Sequence, residues 1–229
     1  MDAEPVTIEV QAAQPVSGLL LRPRSAVACY VMAHGAGAGM HHAWMAACAE
    51  ELAKLDVATL RFQFPYMERG SKRPDPASTC HATVRAAVAH ARRLCPDLPM
   101  FAGGRSFGGR MTSQAQALEP LPGVLGLAFL GFPLHPPGKP SVDRAAHLDE
   151  VDVPMLFLQG TRDELASLEL MQSVVERFGP RARLHLAQEA DHSFHVPARS
   201  GRSDTDVRSE LLQAFHDWSK GVVADARAH

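Results

Sequence analysis

The chain has 229 residues, 46% of them hydrophobic, with a formal net charge of −2; that is enough apolar material for one good-sized core. With a near-neutral charge and arginines spread along the chain, there is no electrostatic basis for binding nucleic acid or an acidic membrane, and neither partner is expected. No stretch reaches the ~18 consecutive apolar residues of a membrane span.

The first residues, Met1-Asp2-Ala3-Glu4-Pro5, lack the basic and apolar regions of a secretory signal, so a cytoplasmic protein is expected. Val6 to Gln11 and Ser17 to Leu21 alternate apolar and polar and predict a short antiparallel pair around Gln14-Pro15. Val27 to Ala33 is almost continuously apolar, the pattern of a strand covered on both faces. It runs into a small-residue loop, His34-Gly35-Ala36-Gly37-Ala38-Gly39, whose backbone N–H groups are free to point at a ligand. His41 to Leu55 predicts a helix, Ala58 to Phe64 a strand ending at Pro65, and Met67 to Pro76 a polar loop. Ser78 to Leu94 predicts a helix capped by Ser78 or Thr79 and stopped by Pro96. Of the four cysteines, Cys29 lies in an apolar run and Cys48 among alanines, as buried free thiols do. A Cys80–Cys95 disulfide is not expected in a reducing compartment.

An apolar run, Leu98 to Ala102, then leads to Gly103-Gly104-Arg105-Ser106-Phe107-Gly108-Gly109, and a helix-compatible run, Met111 to Leu118, leads away. Strand, sharp turn and helix are the context in which Gly-x-Ser-x-Gly raises a serine hydroxyl above a sheet edge. Gly123 to Phe132 predicts a buried strand, followed by a proline-rich loop from Pro133 to Pro140. Met155 to Leu158 predicts a strand ending at Gln159-Gly160-Thr161-Arg162-Asp163, and Leu168 to Phe178 a helix. Ala182 to Ala187 predicts the last strand, before Asp191-His192. A polar loop, Ala198 to Asp204, precedes a final amphipathic helix with Val207, Leu211, Ala214, Phe215 and Trp218 on one face. The alternation predicts an α/β fold with a mostly parallel sheet and helices on both faces. One domain, 1–229, is expected, and the segment from Pro133 to Pro154 is too short for a separate lid domain.

In such sheets ligands bind outside the carboxyl ends of the strands. Four loops there carry Gly35-Ala36, Ser106, Asp163 and His192, and the order Ser, Asp, His is that of a nucleophile-elbow protein. Ser106 needs a base, His192 titrates in the right range to be one, and Asp163 would hold its tautomer. The N–H groups of Ala36 and Phe107 are the candidate oxyanion donors. Glu164 is a competing acid and His195 a competing base. The pairs His41, His42 and His192, His195 lack further ligands for a metal, so neither metal nor cofactor is expected. His34 is assigned to supporting the glycine loop. Trp44, Met45, Phe64, Tyr66, Met67, Phe132, Leu134 and His135 are candidates for an acyl pocket or for ordinary packing. Arg69, Lys72 and Arg73 read as a solvated loop, and Arg105 as bracing the turn against an acid rather than meeting an anionic group.

With these residues the chain resembles the α/β-hydrolase superfamily over nearly its whole length. The likeness is carried by His34 to Gly39, Gly104-Arg105-Ser106-Phe107-Gly108-Gly109, Gly160-Thr161-Arg162-Asp163 and Asp191-His192-Ser193-Phe194. More narrowly it looks like the small, lid-poor hydrolases related to dienelactone hydrolase. Its Gly-Arg-Ser-Phe-Gly-Gly-Arg run and Gly131 to Lys139 are similar to a branch with testis-expressed and chromatin-complex hydrolase-like proteins. The resemblance implies Ser106, Asp163 and His192 as a triad. Dienelactone hydrolases carry cysteine where this chain has Ser106, so their substrate is not implied. The expected function is a serine hydrolase cleaving carboxylic ester or thioester bonds of small molecules. The alternatives are a silent hydrolase-fold binding or scaffold protein, and an acyltransferase or peptidase on the same residues. Oligomeric state stays open.

Overall fold

The structure is a computed structural model and describes residues 2–11 and 13–228. Eight strands form one sheet: β1 (Glu4–Ile8), β2 (Val16–Leu21), β3 (Ala28–Ala33), β4 (Val57–Phe62), β5 (Met100–Arg105), β6 (Val124–Leu130), β7 (Met155–Gly160) and β8 (Ala182–Ala187). Their order is β1-β2-β4-β3-β5-β6-β7-β8. Only the β1–β2 and β2–β4 pairs are antiparallel; from β4 onward neighbouring strands run parallel.

The apolar runs are continuous because each feeds two cores. In β3, Cys29, Val31 and Ala33 face one layer, while Ala28, Tyr30 and Met32 face the other. In β7, Met155 and Phe157 part from Leu156 and Leu158 in the same way. This is the period-two geometry of a strand applied to a sheet with no wet face. Helices α1 (Ala43–Lys54) and α6 (Asp204–Ala228) cover one face. On the other lie α2 (Pro65–Glu68), α3 (Ala77–Leu94), α4 (Phe107–Leu118), α5 (Leu168–Arg177) and a 3-10 segment, Asp143–Glu150. No separate lid domain interrupts residues 131–154 between β6 and β7, and no described helix is long and apolar enough to cross a membrane.

Several boundaries differ from the sequence reading. Helix α3 begins at Ala77, and neither Ser78 nor Thr79 caps it; the Thr79 and Cys80 N–H groups donate to the Pro76 carbonyl instead. The strand expected to run from Ala58 to Phe64 ends at Phe62, and Pro65 opens α2, because its fixed φ and missing N–H suit a first helical position. The final helix starts earlier than its apolar stripe. Ser203 Oγ accepts from the Asp206 N–H while the Asp206 carboxylate accepts from the Ser203 N–H, a reciprocal cap. All four cysteines are buried and free.

Strand order reverses at β3: the chain moves from β3 to β4 on one side, then returns to β5 on the other. The crevice outside the carboxyl ends of β3 and β5 is therefore the switch point of the sheet. The glycine loop leaves β3 there, and Ser106 leaves β5.

Candidate active site

Ser106 sits between β5 and α4 at φ 47° and ψ −116°, a backbone conformation that L-residues rarely adopt. Two glycines make the turn possible. Gly104 has φ 144°, and a Cβ there would lie 2.2 Å from the Ala33 oxygen. A Cβ on Gly108 would lie 2.5 Å from the His34 oxygen. The backbones of β3, β5 and α4 thus meet at distances that a methyl group would prevent.

This turn aims Ser106 Oγ at His192 Nε2, 2.9 Å away. His192 Nδ1 lies 2.7 Å from Asp163 Oδ2. A carboxylate only accepts, so Nδ1 carries the imidazole proton and Nε2 is left to accept from the serine hydroxyl. The Asp163 side chain is 0% exposed and that of His192 22%, so the acid is desolvated while the ring keeps contact with the cleft. The Asp163 carboxylate also accepts from the Leu165 N–H at 2.7 Å and from the Gln159 amide.

Gln159 is a site residue that the sequence reading missed. It is buried at the end of β7, its amide N–H₂ donates to Asp163, and its Oε1 accepts from the Phe132 N–H at 2.9 Å. The available signal was a lone polar side chain closing an apolar strand.

The competing residues point elsewhere. Glu164 is exposed, and His195 pairs with Asp204 at 2.9 Å, which holds the imidazolium form above its ordinary range. Asp191 serves its own turn, accepting from the Ser193 and His195 N–H groups.

Among the described residues, the N–H groups of Ala36 and Phe107 find no protein acceptor, as oxyanion donors require. The loop around Ala36 is pinned from β4 and its extension. His34 Nε2 accepts from the Phe64 N–H at 3.1 Å, and its Nδ1–H donates to the Gly35 oxygen at 2.8 Å. Burial holds the His34 pKa down to about 4, so it stays neutral and keeps both bonds. Tyr66 Oη accepts from the Gly37 N–H, and Gln63 Oε1 from the Met40 N–H.

Over Ser106 lies an open cavity of about 430 Å³, lined by residues 35–38, His42, Arg105, Ser106 and His192. Met45, Phe64, Tyr66, Phe132, Leu134 and His135 are buried in the packing rather than lining it. Arg105 has no acid partner, contrary to the bracing role expected of it; its guanidinium lies on the Trp44 ring, 4.7 Å from the centroid. Arg69 pairs with Asp75 on the surface. A larger cavity, about 540 Å³, lies at the opposite end of the sheet between the starts of β3 and β4 and the last turns of α6.

The family model for the Alpha/beta hydrolase domain matches residues 26–220. The chain belongs to this family. Solved structures with the α/β-hydrolase fold superimpose over almost its whole length. An α/β serine hydrolase homologue from Coxiella burnetii has a TM-score of 0.75 at 20% identity, covering 93% of this chain and 98% of its own. A serine hydrolase described as lacking a lid, from Xanthomonas campestris, has a TM-score of 0.73 at 20% identity, covering 95% of both chains. A dienelactone hydrolase from Anabaena variabilis has a TM-score of 0.75 at 19% identity, covering 95% of this chain and 96% of its own. At such identities the likeness is one of fold, so the α/β-hydrolase architecture is shared while the chemistry rests on the residues of each site.

Proposed function

We propose that this α/β hydrolase is a serine hydrolase, a carboxylesterase-like enzyme that cleaves ester or thioester bonds of small substrates through an acyl-enzyme, acting as a single cytoplasmic domain over 1–229. The observation that carries the reading is the continuous relay of Ser106, His192 and Asp163, with links of 2.9 and 2.7 Å. The four buried free thiols fit a reducing compartment.

Ser106 Oγ attacks the acyl carbon as its proton passes to His192 Nε2. Asp163 stabilises the imidazolium that forms and holds the ring in register. The carbonyl oxygen, now an oxyanion, takes the Ala36 and Phe107 N–H groups. Each such donor contributes on the order of 3 kcal/mol of transition-state stabilisation. Collapse of the intermediate returns the proton to the leaving alcohol or thiol and leaves an ester on Ser106. Water then repeats the sequence and releases the acid. The open cavity suits small acyl groups.

The test is labelling with a fluorophosphonate, read by intact mass, beside hydrolysis of short p-nitrophenyl esters. One adduct on the wild type, absent in Ser106→Ala, is expected together with turnover. A folded wild type that neither labels nor hydrolyses any activated ester refutes the proposal.

A further inference from the structure

We propose that Cys29 and Cys95 form a peroxide-responsive modification site: hydrogen peroxide oxidises Cys95, and Cys29 then closes a disulfide with it. The pair lies outside the cleft over Ser106 and does not depend on the serine hydrolase reading.

The two thiols come from different elements and meet where α3 gives way to β5. Cys95 is the residue just past the end of α3, and its N–H donates to the Ala91 oxygen at 2.8 Å. The chain then turns. The Leu98 N–H donates back to the Cys95 oxygen at 3.2 Å, and the Pro99 oxygen accepts from the Cys29 N–H at 2.9 Å. Register sets Cys29 beside Met100, the first residue of β5. Side chains alternate along β3, and Cys29 faces the core layer that also holds Ala91 and Cys95. There the two thiols are hydrogen-bonded to each other. Cys29 is fully buried. Cys95, also buried in the packing, forms part of the wall of an open cavity of about 460 Å³, beside Arg92, Arg93, Met100 and Gly123. Such a volume admits solutes of the size of water, hydrogen peroxide among them. Arg22 donates to the Leu94 oxygen and to the Asp97 carboxylate, both at 2.9 Å, which brings its charge to the same helix end.

This setting gives the two thiols different tasks. The hydrogen bond from Cys29 is the main cause that brings Cys95 down to about 7; burial opposes it and the Arg22 charge assists. The same bond, with burial, keeps the proton on Cys29. Burial pushes Cys48 and Cys80 the other way, the latter up to about 12. The thiolate is the nucleophilic form, so Cys95 is the thiol that attacks. Its sulfur bonds to one peroxide oxygen, the O–O bond breaks, and the departing hydroxide takes a proton to become water. Cys95 is then a neutral sulfenic acid, and the charge that held the Cys29 proton is gone. The Cys29 sulfur attacks the Cys95 sulfur, the S–O bond breaks, and the departing hydroxide takes the Cys29 proton as a second water. The dithiol has lost two electrons and two protons, and one hydrogen peroxide has been reduced to two waters.

The test treats the reduced, folded wild type with a small excess of hydrogen peroxide at neutral pH. Intact mass and peptide maps are read with and without dithiothreitol. A loss of about 2 Da that maps to a Cys29–Cys95 link is expected, reversed by dithiothreitol and formed about tenfold or more faster than any oxidation of Cys48 or Cys80. Cys29→Ser should stop at the sulfenic acid, a gain of about 16 Da on Cys95, and Cys95→Ser should abolish the link. A folded wild type that stays unmodified overturns the proposal. So does a link between any other pair, oxidation of Cys48 or Cys80 as fast as Cys95, or oxygen added to Cys95 with no link to Cys29. The wild-type maps give this answer by themselves, so it stands even where a serine variant fails to fold.

Discussion

At the scale of single residues, the arrangement separates what carries the proton from what holds the carrier. Asp163 touches no substrate in the proposed mechanism, yet it determines which imidazole nitrogen faces Ser106. Asp163→Asn offers His192 an amide in place of the carboxylate and can reverse the tautomer. A loss of about 10³- to 10⁴-fold in kcat with little change in KM is expected from steady-state kinetics. Gln159 acts one bond further out. Gln159→Leu removes the amide donor from a buried carboxylate and leaves the Phe132 N–H without its acceptor. The expected cost is on the order of 2 kcal/mol of stability by urea titration, with a drop in kcat as Asp163 loses its fixed orientation. That Ser106, Asp163 and His192 would meet was readable from residue type and order, because the three proposed roles follow the carboxyl ends of β5, β7 and β8. Gln159 was not, because a glutamine at the end of a strand has many uses until its neighbour is seen.

At the scale of elements, the elbow joins a strand and a helix through contacts between backbones. Gly108→Ala would drive a methyl group into the His34 carbonyl at the start of the glycine loop. Helix α4 must shift, and a destabilisation of about 3 kcal/mol is expected in urea titration, with loss of fluorophosphonate labelling where the fold survives. Helix α6 depends on a different kind of contact. Phe215 is 1% exposed and packs on Tyr30, Phe101 and Trp218. Phe215→Ala is expected to cost about 3–5 kcal/mol, read as a lower urea midpoint. The stripe that places Phe215 against the sheet was visible as helical periodicity. The cap at Ser203 and Asp206 lies outside that stripe, and the end of the polar loop at Asp204 rather than the periodicity marked where the helix begins. Helix α4 was expected too late, since two glycines conceal a first turn that tertiary packing stabilises.

At the scale of the whole molecule, burial of neutral histidines makes stability depend on pH. Desolvation lowers the pKa of both His34 and His147 to about 4, whereas an unfolded histidine titrates near about 6.5. Above the unfolded value neither state is charged, and the full stability is present. Below it the unfolded chain takes up protons that the folded chain refuses, so stability falls as pH drops from about 6.5 towards 4 and then levels off. Urea midpoints measured across that range should show the decline, and His147→Gln should make it shallower.

The sequence by itself determined the architecture and the chemistry on offer. Runs that are apolar at every position can only be strands covered twice, helices between them make the sheet parallel, and a serine flanked by glycines after such a strand has one conformation that fits. The tertiary structure alone decided how the side chains pair. It turned His195 to Asp204, decided for Met45, Phe64, Tyr66, Phe132, Leu134 and His135 between an acyl pocket and ordinary packing by burying them, gave Asp163 its Gln159 support and left Arg105 on Trp44 without an acid. The reason is physical. Periodicity and turn chemistry act between residues near in the chain. The partners of a charge are set by which distant loops the sheet brings together.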